Sequence, residues 1–363
     1  MQETKLSDIL AICVQNNLPF YSFRMPQSHE VKTGIQITSE LHNFSDFSQL
    51  SDGFVIAPFD ANSKTDSLHI RADVSFLNNQ IQNEDLATLH AISFKAEKSN
   101  STSREISKDE YLRQASLLID KLQKKELQKV VLSRTIQVTD ITIDNAVTIF
   151  DNLTHNYPNT FVSIFFIPGK YCWIGATPET LLKAHSIKVE TMSLAGTKPI
   201  EPNARWSEKE REEQQMVSDY VASVLQKFPF KEINVEGPLD FIAGNVCHLM
   251  TKYDCIGNMN SKTLFDLVTK LHPTPAVCGL PKEQSMQLIH QTELHDREYY
   301  AGYMGPVSAI GCDLFVNLRC MKLTDNDITL YVGGGITAQS VAEAEWQETC
   351  LKAETLLKII KKE

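Results

Sequence analysis

Thr160–Leu194, TFVSIFFIPGKYCWIGATPETLLKAHSIKVETMSL, is the stretch that decides the fold reading. It holds three segments rich in β-branched and aromatic residues, TFVSIFFIP (160–168), YCWIGAT (171–177) and HSIKVETMSL (185–194). Each reads as a strand, and no helical segment intervenes. Strands following one another in this way favour antiparallel pairing over the regular alternation of a parallel sheet. Working outward, DLFVNLRCMKL (313–323) and ITLYVGGG (328–335) read as further strands. Helices are expected at SEKEREEQQMVSDYVASVLQKF (207–228) and SVAEAEWQETCLKAETLLKIIKK (340–362). Ser107 and Glu110 form a capping-box signature that opens a helix through YLRQASLLIDKLQKKEL, which leads into the strand KVVLSRTIQV (129–138). The expectation is an α+β fold with large antiparallel sheets packed together and helices outside. The first hundred or so residues read as strands and loops of the same body, which makes 1–363 one domain.

The 363 residues, 42% of them hydrophobic, are enough to bury a large core. A formal charge of −10 argues against a nucleic-acid backbone or an anionic membrane as the main partner. The start, MQETKLSDIL, lacks the basic and apolar pattern of a signal peptide, and no stretch is long enough to span a bilayer, so the expected location is the cytoplasm. Eight cysteines lie scattered without CxxC spacing and read as reduced core residues.

Two helical faces carry stacked acids. Glu345 and Glu348 are three apart with Lys352 one turn on, and Glu210 and Glu213 repeat the pattern. Like charges a turn apart repel. If the two helices faced each other, a divalent cation between them would relieve that cost, and hard carboxylate ligands suit magnesium (Mg2+). A solvated face with an ordinary Glu348–Lys352 pair is the alternative. Glu179, after a proline at a strand end, could be a general acid if its surroundings were dry. Lys129, at a strand start among apolar neighbours, could serve as a base, or could merely cover an edge. Gly333, Gly334 and Gly335 lie between a predicted strand and a predicted helix, where bare backbone could meet a carboxylate. Arg319, on a predicted strand, could add a bidentate grip or form a structural ion pair.

Taken in order, LQKVVLSR, GATPETLL, SLAGTKP, KEREEQ, LHPTPAVCGLP, DREYYAGYMG, VNLRC, GGGI and EWQETCLKAE resemble the chorismate-utilising enzymes, and among them the isochorismate synthases. The resemblance runs from about Lys129 to the end. It implies that chorismate binds with magnesium, that water adds at ring carbon 2 and that the hydroxyl on carbon 4 departs. The product would feed menaquinone or siderophore formation. Carried over by motif, Lys129 resembles the base that activates water, and Glu179 the acid that protonates the leaving hydroxyl. Glu213 and Glu348 match direct metal ligands; Glu210 and Glu345 match carboxylates that hold the ion through water. Lys352, Arg319, Tyr300 and the Gly333, Gly334 and Gly335 backbone match substrate contacts, and Thr197, His272 and Ala276 match other pocket positions.

Departures from the family pattern narrow the reaction. Gln214 stands where a histidine is frequent. Ala195 replaces the nucleophilic lysine of aminodeoxychorismate synthases, which disfavours a covalent route. Lys129 separates the chain from ammonia-using anthranilate synthases, so no glutaminase subunit is expected, and a monomer is. The nearest rival is a salicylate synthase, which eliminates pyruvate after the same first step; Ala276 and His272 argue against it. A non-catalytic binding protein of the same fold is the rival from another class, and the retained Lys129 and Glu179 argue against that.

Overall fold

The computed structural model describes residues 4–95, 104–139, 141–201, 204–244, 246–324 and 327–360. Two nine-stranded sheets carry the chain, and every neighbouring pair of strands in both is antiparallel. The first sheet runs through Lys129–Thr139, Asp327–Ile336, Cys320–Leu323, Tyr171–Thr177, Phe161–Ile167 and Phe20–Arg24. The second runs through Glu232–Ala243, Val246–Ile256, Lys188–Pro199, Thr180–His185, Gly311–Val316, Tyr303–Ser308 and Gly53–Ala57.

Alternation along Phe161–Ile167 explains why that strand is apolar throughout. Phe161 and Phe165 enter the core between the sheets, where Phe161 stacks on Phe315 of the second sheet at 4.0 Å between ring centroids. Val162, Ile164 and Phe166 face the opposite way, into a second core with Leu6, Ile9 and Leu10 of the helix Leu6–Gln15 and with Phe150 and Leu153 of the helix Ala146–Asn156. A strand buried on both faces has no polar side to show. Burying each such side chain stabilises the fold by about 1.5–3 kcal/mol. The first hundred residues are built into both sheets: Phe20 pairs with Phe166, and Ala57 with Tyr303. They also form the helices Leu6–Gln15 and Asn83–Ala91, where only strands and loops were expected.

Two segments read as single strands are divided. DLFVNLRCMKL is Gly311–Val316 in the second sheet and Cys320–Leu323 in the first, with Asn317–Arg319 carrying the chain across. Arg319 therefore lies at a crossing, at φ +47°, rather than on a strand. The segment at 185–194 straddles a hairpin: Thr180–His185 and Lys188–Pro199 pair around Ser186, at φ +56°. Tyr171–Thr177 and Thr180–His185 likewise belong to different sheets, so Pro178 and Glu179 form a second crossing. The crossings run side by side. Ala176 N–H donates to Arg319 O (3.1 Å), Val316 N–H donates to Glu179 O (3.0 Å), and the Thr177 hydroxyl donates to Val316 O (2.6 Å).

The helix from Ser107 begins at Lys108 with the expected capping box. Glu208–Leu225 lies against the strand Lys188–Pro199, and Ala342–Ile360 lies across Asp327–Ile336. All eight cysteines are free, and seven are buried.

Candidate active site

One cleft opens where the crossings meet the two acidic helices, enclosing about 670 Å³, part of it open to solvent. Twelve of the residues singled out from the sequence line it: Glu179, Ala195, Thr197, Glu213, Ala276, Tyr300, Arg319, Gly333, Gly334, Gly335, Glu348 and Lys352.

Glu179 is held by the crossing's main chain and is 3% exposed. Burial pushes its carboxyl up to about 8, and the nearby Lys129 and Lys352 only partly offset this. At neutral pH it is a protonated acid on a rigid support.

Lys129, fully buried, stands one layer behind the lining, with Nζ 2.8 Å from Glu213 Oε1. Glu213 stands where it can balance the charge whenever this buried amine carries a proton. Among the described residues no acceptor is aligned for a regular hydrogen bond to that nitrogen.

The glycines belong to the strand read at 328–335 and correct the further expectation of a helix start beside them. They do not sit at a helix N-terminus; they lie inside the strand Asp327–Ile336, paired with Ser133, Leu132 and Val131 of the Lys129 strand. Their role is to leave room. A Cβ on Gly335 would stand 2.4 Å from Glu213 Oε1 and 2.9 Å from Lys129 Cε, and one on Gly333 would stand 2.8 Å from Tyr300 Oη. Over Gly334 the carboxylates of Glu348 and Glu345 converge, at 3.5 and 3.7 Å from where a Cβ would be.

Each acid in this group is held by a lysine. Lys352 lies 2.7 Å from Glu348 and donates to Gly333 O at 2.9 Å. Lys209 lies 2.6 Å from Glu345. Burial works against the Glu348 charge, but Lys352 and Lys209 outweigh it and hold its carboxyl below the usual range. Glu345, 1% exposed, is pushed up by burial and by Glu348. Its Oε2 has no hydrogen-bond partner among the described residues. Glu210 departs from expectation: its carboxylate accepts from Ser207 N–H at 3.0 Å and from the Ser207 hydroxyl, so it closes the capping box of its own helix. Among the described residues no three acids or imidazoles are drawn together as a ready ligand set.

Arg319 reaches the cleft beside a residue the sequence reading missed. His248, on the strand Val246–Ile256, is buried with Nδ1–H donating to Gly196 O (2.8 Å), and its Nε2 accepts from Arg319 Nη2 (3.3 Å). Burial and Arg319 push the imidazole down to about 3, so it stays neutral and able to accept. Arg319 also donates to Thr355 Oγ1 (3.1 Å). The only signal in the sequence was a lone histidine in the apolar run VCHLM.

His272 is the second departure. It is buried away from the lining, with Nε2 3.1 Å from Pro58 O and its ring edge-on to Tyr303. The peptide before Pro273 follows the helix Ser261–Leu271, whose end turns the side chain toward the Pro58 segment. Gln214 also faces inward, its Nε2 donating to Ser193 O and Thr251 Oγ1 at 3.2 Å, as a structural polar contact beneath the helix.

A family model described as chorismate binding enzyme matches residues 55–361. The chain belongs to the chorismate binding enzyme family. Within it, the chain is 31% identical over 247 residues to isochorismate synthase EntC of Escherichia coli strain K12, covering 64% of this chain and 62% of that protein. It is 29% identical over 249 residues to isochorismate synthase MenF of the same strain, covering 66% and 57%. The aligned part is thus about three fifths of the length of these relatives. Its fold is shared with the menaquinone-specific MenF structure from Escherichia coli (TM-score 0.80, 21% identity, 98% of this chain and 93% of that one). It is shared too with anthranilate synthase component I from Streptococcus pneumoniae (TM-score 0.67, 20% identity, 93% and 90%). The α+β expectation is therefore met by a chorismate binding enzyme fold. Among the described residues no helix is long and apolar enough to cross a membrane.

Proposed function

We propose that this chorismate binding enzyme is an isochorismate synthase that adds water at ring carbon 2 of chorismate and expels the hydroxyl on carbon 4. The observation that carries the reading is Glu179, a carboxylic acid kept protonated by burial on the wall of a cleft backed by Lys129. Lys129, in its neutral amine form, accepts a proton from the attacking water as its oxygen bonds to carbon 2. Glu179 gives its proton to the carbon 4 hydroxyl, which leaves as water while the ring double bonds shift. One water enters, one leaves, and the proton balance closes. Arg319, steadied by neutral His248, and Lys352, anchored on Gly333 O, supply positive charge for the substrate's carboxylates.

The donor chemistry also suits magnesium. Glu213, Glu345 and Glu348 offer hard oxygens, Glu345 Oε2 is buried with no regularly aligned partner among the described residues, and bare Gly334 leaves space beneath two carboxylates. Glu213 and Glu348 would hold the ion, with Glu345 behind them. When bound, the ion would neutralise the acids and draw in a substrate carboxylate. Ala276, on the lining, is the residue that the resemblance sets against a salicylate synthase.

The test is product analysis by chromatography after incubation with chorismate and magnesium. Isochorismate without pyruvate is expected; stoichiometric pyruvate and salicylate would reassign the protein to the lyase class.

A further inference from the structure

Three lysines, Lys129, Lys209 and Lys352, stand on three carboxylates, Glu213, Glu345 and Glu348, at 2.8, 2.6 and 2.7 Å. The formal charge of the group is zero with every amine protonated, and one negative charge with Lys129 as the neutral base. The proposed function uses two of these lysines and leaves Lys209 over. Its position is costly by itself: it is the second residue of the helix Glu208–Leu225, and a cation in the first turn opposes the helix dipole. Lys209 reaches across to the helix Ala342–Ile360 and binds Glu345, within electrostatic range of Glu213 and Glu348 as well. One ammonium thus joins the two helices at the place where a dication would join them.

We infer that Lys209 is a displaceable counter-cation, which ties Glu345 to the opposite helix in the metal-free protein and must release it when a divalent ion enters, thereby setting the affinity for that ion. The inference rests on the metal reading above. A dication added to this group leaves an excess of positive charge, one unit even with Lys129 as the neutral base, unless an ammonium withdraws. Lys129 has no route out, being fully buried, and Lys352 is tied to Gly333 O. Lys209 is 21% exposed at the side chain, and its stem can swing toward solvent. Ion and ammonium therefore compete for Glu345.

The test is calorimetric titration of magnesium chloride into the metal-free full chain. Lys209→Met should bind magnesium roughly tenfold more tightly than the unsubstituted protein, since a repelling charge near the site has gone. Its metal-free melting temperature should fall, and the gap should close at saturating magnesium. Lys209→Arg, which keeps the charge, should stay within about threefold of the starting affinity. Lys209→Gln serves equally if the methionine variant does not fold. Unchanged or weaker binding in a folded, uncharged variant would overturn the inference while leaving the metal site standing. An unsubstituted protein that takes up no magnesium would overturn both.

Discussion

Replacing Glu179 by glutamine should inactivate the enzyme and stabilise it, and the size of the second effect follows from burial. The Glu179 carboxyl sits at about 8 in the folded protein against 4.5 for an unperturbed glutamate. Below pH 4.5 the group is protonated whether the chain is folded or not, and it contributes nothing. As pH rises from there, the unfolded chain ionises while the folded one does not, so unfolding becomes progressively easier. Between 4.5 and 7 that is two and a half units at about 1.4 kcal/mol each, a cost of about 3 kcal/mol at neutral pH. Glutamine matches the shape and cannot ionise. Urea denaturation of both proteins at pH 4.5, 6, 7 and 8 should show the variant's advantage growing by about 3 kcal/mol between the first and third points, then levelling off above 8. Turnover should drop by about 10²- to 10⁴-fold at every pH, and the unsubstituted enzyme should itself lose activity as pH rises through about 8. Parallel stability profiles for the two proteins would refute the claim that Glu179 is held protonated by its surroundings, and with it the general-acid role.

Two further outcomes are expected. Lys129→Arg puts a permanent cation opposite Glu213, and guanidinium cannot serve as a neutral base; kcat should fall as far as in Lys129→Met, by about 10²- to 10⁴-fold, and a substantially active arginine variant would remove the base assignment. Gly335→Ala forces a Cβ to within 2.4 Å of Glu213 Oε1 and 2.9 Å of Lys129 Cε, so it should cost about 1–3 kcal/mol in denaturant melts and lower kcat; a variant with unchanged stability and turnover would show that this close fit has no consequence.

The sequence disclosed those parts of the site that depend on residue type and local periodicity. Glu213 and Glu348 were legible because helical spacing stacks them with partners a turn away, and the capping box at Ser107 fixed a helix start to the residue. The second box, Ser207 with Glu210, has the same signature, yet Glu210 was read for its charge and not for its position three residues after a serine. The crossings were not legible. VNLRC continues the apolar pattern of a strand, and only the positions of two whole sheets require it to break at Asn317–Arg319. His248 was missed and His272 misplaced for a related reason. Whether a buried histidine faces a cleft or a backbone carbonyl depends on tertiary neighbours, Arg319 and Gly196 for one and Pro58 for the other. The glycine run was half legible: ITLYVGGG was read as a strand, and pairing with Leu132 and its neighbours makes it one, but the helix expected directly after the glycines begins only at Ala342.

The paired crossings give the catalytic apparatus two mechanical grades. The proton donor and the guanidinium are welded to one another through main-chain bonds between Ala176 and Arg319 and between Val316 and Glu179. Their separation is therefore as fixed as the spacing of strands. The carboxylates over Gly334 hang instead from the single helix Ala342–Ile360, which is tied to the helix Glu208–Leu225 through the long side chain of Lys209. Breathing of the molecule should be taken up at that compliant end, while the stiff end keeps Glu179 and Arg319 in register.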